Sequence, residues 1–323
     1  MSAERLADDY SLSAGRSPVT GACFPTSITS THTGLGIPAV FYMPGILSKI
    51  LCYGQYFCIY PAAYDSEEER RRAVDPLLFQ LGDIGVDIPT SNNAVLKCFL
   101  LKQTKLPVAA GTIIMFHGNG YHAWSYITCG MKFCEELGFN VLMVEYRGYG
   151  ASTGSPSEHR LRRDSQAALD FVISRDDLPG PIVLHGHSMG GAVTIDLAYR
   201  NPQTINAIIL ENTFLSIPTM ASLMPIVQHL TWFIHQRWNS AKKIQMIPRK
   251  IPILFLSGTS DEVVPAEHMI RLYDIASARD PTSAAIIQDI FKSFPRGTHA
   301  DTWIQRDYLQ SISTFLRSIV SVT

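Results

Sequence analysis

The sequence predicts an α/β domain, a mostly parallel central sheet flanked by helices and carrying a short helical lid. Three observations support this. From about Gly82 onward, short apolar runs alternate with stretches of helical spacing. Five of the runs are predominantly apolar without polar alternation, as strands buried on both faces are. One of the five leads into Gly186-His187-Ser188-Met189-Gly190, a Gly-x-Ser-x-Gly sequence with a helical pattern directly behind it.

The chain has 323 residues, with 27 Lys plus Arg against 28 Asp plus Glu and a formal net charge of −1. It is long enough to bury a sizeable core, and it lacks the basic stripe that a nucleic-acid partner requires. Residues 1–36, rich in Ser, Thr, Gly and Ala without period, are expected to be a disordered tail. Met1 to Asp9 is acidic and has no apolar signal core. Residues 37–61 are expected to associate with a membrane: Ile46, Leu47, Ile50, Leu51, Tyr53 and Phe57 recur at near-helical spacing. Pro38, Pro44, Lys49 and Gln55 interrupt the run and argue against insertion across a bilayer. An interfacial anchor is therefore expected ahead of a tilted spanning helix, and a surface helix packed on the domain is the third reading.

All six cysteines, Cys23, Cys52, Cys58, Cys98, Cys129 and Cys134, have spacings that match no zinc pattern, so no metal is expected. Buried free thiols are expected, with acylation of Cys52 and Cys58 as the alternative. The domain proper should run over 62–323. Its first helix, Glu67-Glu68-Glu69-Arg70-Arg71-Arg72, reads as a solvated face of i,i+3 and i,i+4 charge pairs.

Ala94 to Leu101 reads as an early antiparallel strand at the sheet edge. The five central parallel strands are then Gly111 to Phe116, Asn140 to Glu145, Pro181 to His185, Ala207 to Leu210 and Ile251 to Leu256. In such sheets the reacting groups gather at the carboxyl ends of the strands. After the third central strand, Gly186 and Gly190 flank Ser188 on a sharp turn where side chains would clash, and His187 shapes that elbow. After the first comes His117-Gly118-Asn119-Gly120, whose backbone turn aims the Asn119 N–H at a developing oxyanion. Met189 supplies the second donor.

The last central strand is followed by Ser257-Gly258-Thr259-Ser260-Asp261, and His299 stands ahead of the C-terminal helix. The order Ser188, Asp261, His299 makes His299 the base that takes the serine proton and Asp261 the acid that orients it. Rivals for the acid are Glu211, Glu262 and Asp301; the rival base is His268, too close to Asp261 to fold back. A second match to the pattern, Gly150-Ala151-Ser152-Thr153-Gly154, is followed by Ser155-Pro156, so no helix opens behind it and Ser152 reads as a loop residue.

With these residues in place, the chain resembles a serine hydrolase of the α/β-hydrolase superfamily. Within it the sequence is similar to the bud-emergence-type, serine aminopeptidase-like subfamily of eukaryotic membrane-associated hydrolases. The resemblance runs from about residue 46 to the C-terminus. It rests on His117-Gly118-Asn119; Tyr146-Arg147-Gly148-Tyr149-Gly150 with Pro156-Ser157-Glu158; Glu211 to Pro218; Phe255 to Gly258; Asp261 to Pro265; and Gly297-Thr298-His299 with Asp301-Thr302-Trp303. It implies an α/β-hydrolase fold, the triad Ser188, Asp261 and His299, and an N-terminal membrane segment. Two departures are Gly120-Tyr121 behind the oxyanion turn and Ala300 behind the histidine. Residues Ser283 to Lys292 look like an extended approach to a last strand.

Residues 212–249 form the expected lid, with Met220, Leu223, Met224, Val227, Leu230, Trp232, Phe233, Ile234 and Trp238 as its apolar series. The reading that follows is a hydrolase of acyl esters or thioesters, whether lipid, acyl-protein or small ester. It works through an acyl-enzyme intermediate without a cofactor, at a membrane surface. A serine at position 188 excludes an aspartate nucleophile. The alternative is a non-catalytic, membrane-tethered scaffold on the same fold.

Overall fold

The computed structural model describes residues 54–72, 83–225, 227–280 and 288–321, which fall within one compact unit, Gly45–Thr323. Eight strands form one sheet: β1 (Gly85–Thr90), β2 (Ala94–Leu101), β3 (Thr112–Phe116), β4 (Asn140–Val144), β5 (Ile182–His187), β6 (Ala207–Glu211), β7 (Ile253–Gly258) and β8 (Ile290–Phe294). Their spatial order is β1-β2-β4-β3-β5-β6-β7-β8. β1 and β2 pair antiparallel, as do β2 and β4; β4 through β8 are all parallel. The five expected central strands are present and parallel.

The expected edge strand is displaced inward by one. β2 is antiparallel, as its sequence suggested, but β1 pairs outside it. Among the residues of β1 only Ile88 is buried, and Pro89 removes a ladder donor, which an edge strand tolerates. Such a segment lacks the apolar run that marks a central strand, so its pattern was not visible.

Five longer helices cover the sheet: α1 (Ile127–Leu137), α2 (Glu158–Ile173), α3 (Met189–Arg200), α4 (Glu267–Ser277) and α5 (Tyr308–Val320). Alternation along each strand sends side chains to opposite faces. Ile114 and Phe116 of β3 join the core under α2, α3 and α4, whereas Ile113 and Met115 join the core under α1 and α5. α2 begins at Ser157, whose hydroxyl accepts the Arg160 N–H, satisfying one orphan donor of the first turn. α3 carries no polar face: ten of its twelve residues are buried, because it lies between the sheet and other helices. Its one acid, Asp196, is paired with Lys243, Arg200 and Arg162.

The N-terminal tail, 1–36, lies outside the described residues, as does the apolar segment up to residue 53. The described end of that segment, residues 54–59, is helical and packs on the domain. Ile59 and Tyr60 belong to the core, and Tyr60 is fully buried against Trp238 and Gln236. Thus the part of 37–61 that is described forms a wall of the domain, and the boundary at 61 falls inside the packed structure. No helix among the described residues is long and apolar enough to cross a membrane. Cys58 is exposed rather than buried, while Cys98, Cys129 and Cys134 are buried and free; Cys23 and Cys52 lie outside the described residues.

The segment expected to be a lid carries short helices, Ile217–Ala221, Val227–Phe233 (a 3-10 helix) and Ser240–Ile244. Its apolar series divides: Trp238 is fully buried, whereas Leu223, Met224 and Trp232 are exposed.

Candidate active site

The carboxyl ends of β3, β5, β6, β7 and β8 lie side by side, with Phe116 registered on Gly186, His187 on Glu211, Glu211 on Leu256 and Gly258 on Phe294. Every loop singled out in the sequence therefore leaves the sheet from the same edge.

Ser188 sits between β5 and α3 at φ 53° and ψ −119°, a conformation that L-residues avoid. The turn is held at both backbone groups. Ser188 N–H donates to the Glu211 carbonyl at 2.9 Å, and the Thr213 hydroxyl donates to the Ser188 carbonyl at 2.6 Å. The flanking glycines are forced by contact: a Cβ on Gly190 would meet the Phe116 carbonyl oxygen at 2.0 Å, and one on Gly186 would meet that of Gly190 at 2.4 Å. As the first helical residue of α3, Met189 has an N–H with no carbonyl in its own helix to receive it.

Ser188, His299 and Asp261 converge. Ser188 Oγ lies 3.0 Å from His299 Nε2, and His299 Nδ1 lies 2.8 Å from Asp261 Oδ2. All three side chains are almost wholly buried. The other carboxylate oxygen of Asp261 accepts the Val263 and Val264 N–H groups at 2.8 and 2.7 Å, so the loop itself fixes the acid. The three rival acids do other work. Glu211 accepts the Tyr308 hydroxyl at 2.7 Å and faces His185 at 3.6 Å. Burial opposes its charge, yet His185 and His187 outweigh burial and hold its carboxyl below the ordinary value. Glu262 accepts the backbone N–H of His299, and Asp301 accepts that of Thr298, so both shape the histidine loop. His268, the rival base, receives the Leu215 N–H on its Nδ1.

The turn after β3 is clamped plane by plane. His117 Nδ1 donates to the Gly118 carbonyl at 2.8 Å. Because the peptide is trans and planar, this turns the N–H of Asn119 to the opposite side. Tyr146 donates to the His117 carbonyl at 2.8 Å and Tyr149 to that of Asn119 at 3.0 Å, which accounts for the Tyr146-Arg147-Gly148-Tyr149 loop. Arg147 is held beneath it by a buried ion pair with Asp164. The Asn119 side chain donates to the Ile59 carbonyl at 3.0 Å, tying this turn to the N-terminal wall.

Ser152 is buried away from this cluster. Its hydroxyl accepts the Lys97 N–H at 2.8 Å and donates to the Glu145 carbonyl at 3.2 Å, so it staples the loop after β4 to β2. The loop reading of the second Gly-x-Ser-x-Gly sequence agrees with this position.

Asn212 is a site residue that the sequence reasoning passed over. At φ 44°, it donates from Nδ2 towards the carbonyls of Thr298 and His299 and the Thr302 hydroxyl at 3.1, 3.2 and 3.0 Å, and its Oδ1 accepts the Gly258 N–H at 2.8 Å. One side chain thus fastens the histidine loop to the ends of β6 and β7. Asn is a residue that tolerates positive φ, and its position directly after a central strand was the available signal.

His187 lies beside Ser188 and His299 and is completely enclosed. Burial, and then the neighbouring His299, push its pKa down to about 4. It contacts Tyr126 and the His299 backbone rather than the serine hydroxyl. Among the described residues no group of His, Cys, Asp and Glu side chains could hold a metal ion.

The sheet, its order and its helical layers are those of the α/β-hydrolase fold. Solved structures share it: the Pyrococcus furiosus esterase Pf2001 superposes with TM-score 0.59 at 18% identity, covering 76% of this chain and 93% of that one. An α/β hydrolase from Vibrio vulnificus superposes at 0.61 with 19% identity, over 90% and 98%. Residues 107–248 match the serine aminopeptidase (S33) hydrolase family. Protein bem46 of Schizosaccharomyces pombe is 35% identical over 264 residues, covering 80% of this chain and 84% of its own. YNL320W of Saccharomyces cerevisiae, described as a membrane protein, is 34% identical over 211 residues, covering 64% and 71%. The chain belongs to the bem46-type family of α/β hydrolases.

Proposed function

We propose that this hydrolase cleaves acyl esters or thioesters through an acyl-enzyme intermediate on Ser188. The observation that supports this most directly is the unbroken line Ser188 Oγ, His299 Nε2, His299 Nδ1, Asp261 Oδ2, with spacings of 3.0 and 2.8 Å. His299 removes the hydroxyl proton as Ser188 attacks the acyl carbon. The N–H groups of Asn119 and Met189 receive the negative charge that develops on the carbonyl oxygen. Collapse expels the alcohol or thiol, which takes the proton from His299. Water then attacks the acyl-enzyme with His299 again as base, releasing the acid and restoring the serine. Asp261 keeps the imidazole in one tautomer and balances its charge. No cofactor is required by these steps.

The reading also puts the protein at a membrane surface. The apolar character of residues 37–61 and the membrane description of the similar yeast protein support that location, and a lipid or acylated-protein ester then becomes the expected substrate.

The test is labelling of the full chain by a fluorophosphonate, comparing wild type with Ser188→Ala and Ser152→Ala, followed by p-nitrophenyl esters of increasing chain length. Labelling should vanish in Ser188→Ala and persist in Ser152→Ala. A folded wild type that takes no label would favour the scaffold reading instead.

A further inference from the structure

Three hydrogen bonds form one continuous chain across the floor of the site. Gly118 N–H donates to the Tyr126 hydroxyl oxygen at 3.2 Å, Tyr126 Oη lies 2.8 Å from His187 Nδ1, and His187 Nε2 lies 2.8 Å from the His299 carbonyl oxygen. The ends of this chain fix its direction. A carbonyl oxygen only accepts, so His187 Nε2 carries the hydrogen. Neutral His187 then offers a lone pair at Nδ1, to which Tyr126 donates, and the Tyr126 oxygen keeps a lone pair for Gly118. His187 stays neutral because burial, and the positive charge that His299 acquires in each cycle, both disfavour a second imidazolium; the two rings are 4.8 Å apart.

The chain touches three separate pieces of the machinery. Gly118 immediately precedes the oxyanion donor Asn119, His187 immediately precedes the nucleophile, and the His299 carbonyl belongs to the base. A second observation shows that the space is built for this connection. A Cβ on Gly118 would lie 3.0 Å from His187 Nδ1, 3.1 Å from Tyr126 Oη and 3.4 Å from the Ser188 Cβ, so the glycine makes room for the chain itself. Tyr126 comes from the turn before α1, outside every loop that the reaction uses directly.

We propose that Tyr126 and His187 are positioning residues: their hydrogen-bonded chain locks the oxyanion turn and the His299 loop into one mutual geometry around Ser188. This inference rests on the proposed serine mechanism. Neither residue touches the reacting atoms. Their effect is to keep the Asn119 donor and the His299 imidazole registered when charge appears on both, one negative and one positive. Displacement of about 1 Å at such groups costs on the order of 100-fold in rate.

The experiment compares the full chain with Tyr126→Phe, His187→Leu and His187→Gln, using p-nitrophenyl butyrate turnover, affinity for an alkylboronic acid that mimics the tetrahedral intermediate, and thermal midpoint. Tyr126→Phe and His187→Leu should lose kcat by about 10- to 100-fold with KM changed less than about threefold, and should lose boronate affinity by a similar factor. His187→Gln, whose amide nitrogen still reaches the His299 carbonyl, should recover part of both. Folded variants that keep wild-type kcat, or that lose kcat while boronate affinity is unchanged, would overturn the proposal.

A readout on the wild type alone guards against variants that fail to fold. Nitrogen-15 spectra should show His187 as the Nε2–H tautomer, unprotonated from pH 5 to 8; the Nδ1–H tautomer would overturn the chain. The two claims separate cleanly. An inert wild type defeats the serine mechanism and the positioning roles with it, whereas a reactive wild type with unaffected variants defeats only the positioning roles.

Discussion

At the scale of the residue, the site depends on side chains that never meet substrate. Asn212 makes contacts to three groups of the His299 loop and one of β7, and it does so from a positive φ that few residues accept. Asn212→Leu removes every one of those bonds and leaves buried partners unpaired. The expected result is a loss of about 2–3 kcal/mol in denaturant unfolding together with a fall in kcat. Unchanged turnover in the folded variant would show that the His299 loop holds itself. His187 carries a second prediction. Its pKa is near 6.5 when unfolded and about 4 in the fold, so between these values the unfolded chain binds the extra proton. Stability is therefore complete above pH 6.5 and declines as pH falls towards 4, by on the order of 3 kcal/mol. Melting curves across that window should show the slope, and His187→Gln should flatten it. Ser188, Asp261 and His299 were proposed from the sequence because Ser188 and Asp261 each follow an apolar run and His299 stands ahead of the C-terminal helix. Asn212 and Tyr126 were not, because their roles depend on what lies across the site in space.

At the scale of the element, close approach decides what is allowed. β5 and α3 meet the end of β3 so tightly that the backbone of Phe116 occupies the place where a side chain of residue 190 would go. Gly190→Ala must push β3 and α3 apart. It should cost about 3 kcal/mol or more and broaden the unfolding transition, whereas the same change in an exposed turn would be near neutral. A soluble variant with an unchanged unfolding midpoint would mean that this junction is looser than the 2.0 Å contact implies. The central strands were read to within about two residues because both of their faces are buried, and an apolar run is the only sequence compatible with that. β1 has no signal in the sequence and β8 shows only as the extended approach to a last strand, because edge strands bury few side chains: β1 buries Ile88 and β8 buries Phe294. The segment 212–249, expected to be a lid, holds short helices among its described residues. Its apolar residues serve different ends, with Trp238 filling the core and Trp232 facing out.

At the scale of the molecule, the N-terminal wall joins parts that the sequence treated separately. Gln55 accepts the His235 N–H, Tyr60 binds Gln236 and Trp238, and the Ile59 carbonyl holds the side chain of Asn119. The described end of the segment expected to serve as an anchor thus reaches both the turn after β3 and the 212–249 segment. Tyr60→Ala removes a fully buried ring and two hydrogen bonds. It should destabilise the domain by about 3–5 kcal/mol in equilibrium unfolding. An exposed anchor would lose almost nothing, so the size of the effect distinguishes a structural wall from a tether. Periodicity showed an amphipathic stretch here, but not whether its apolar side would meet lipid or protein, since both offer the same kind of surface to a side chain.

The most direct measurement is to mix the full chain with p-nitrophenyl butyrate, quench with acid during turnover, and map the acyl group by peptide mass. Butyrylation is expected on the peptide carrying Ser188, absent from Ser188→Ala and much reduced in His299→Ala. An acyl group on any other residue, or ester turnover at the wild-type rate in Ser188→Ala, would contradict the serine mechanism.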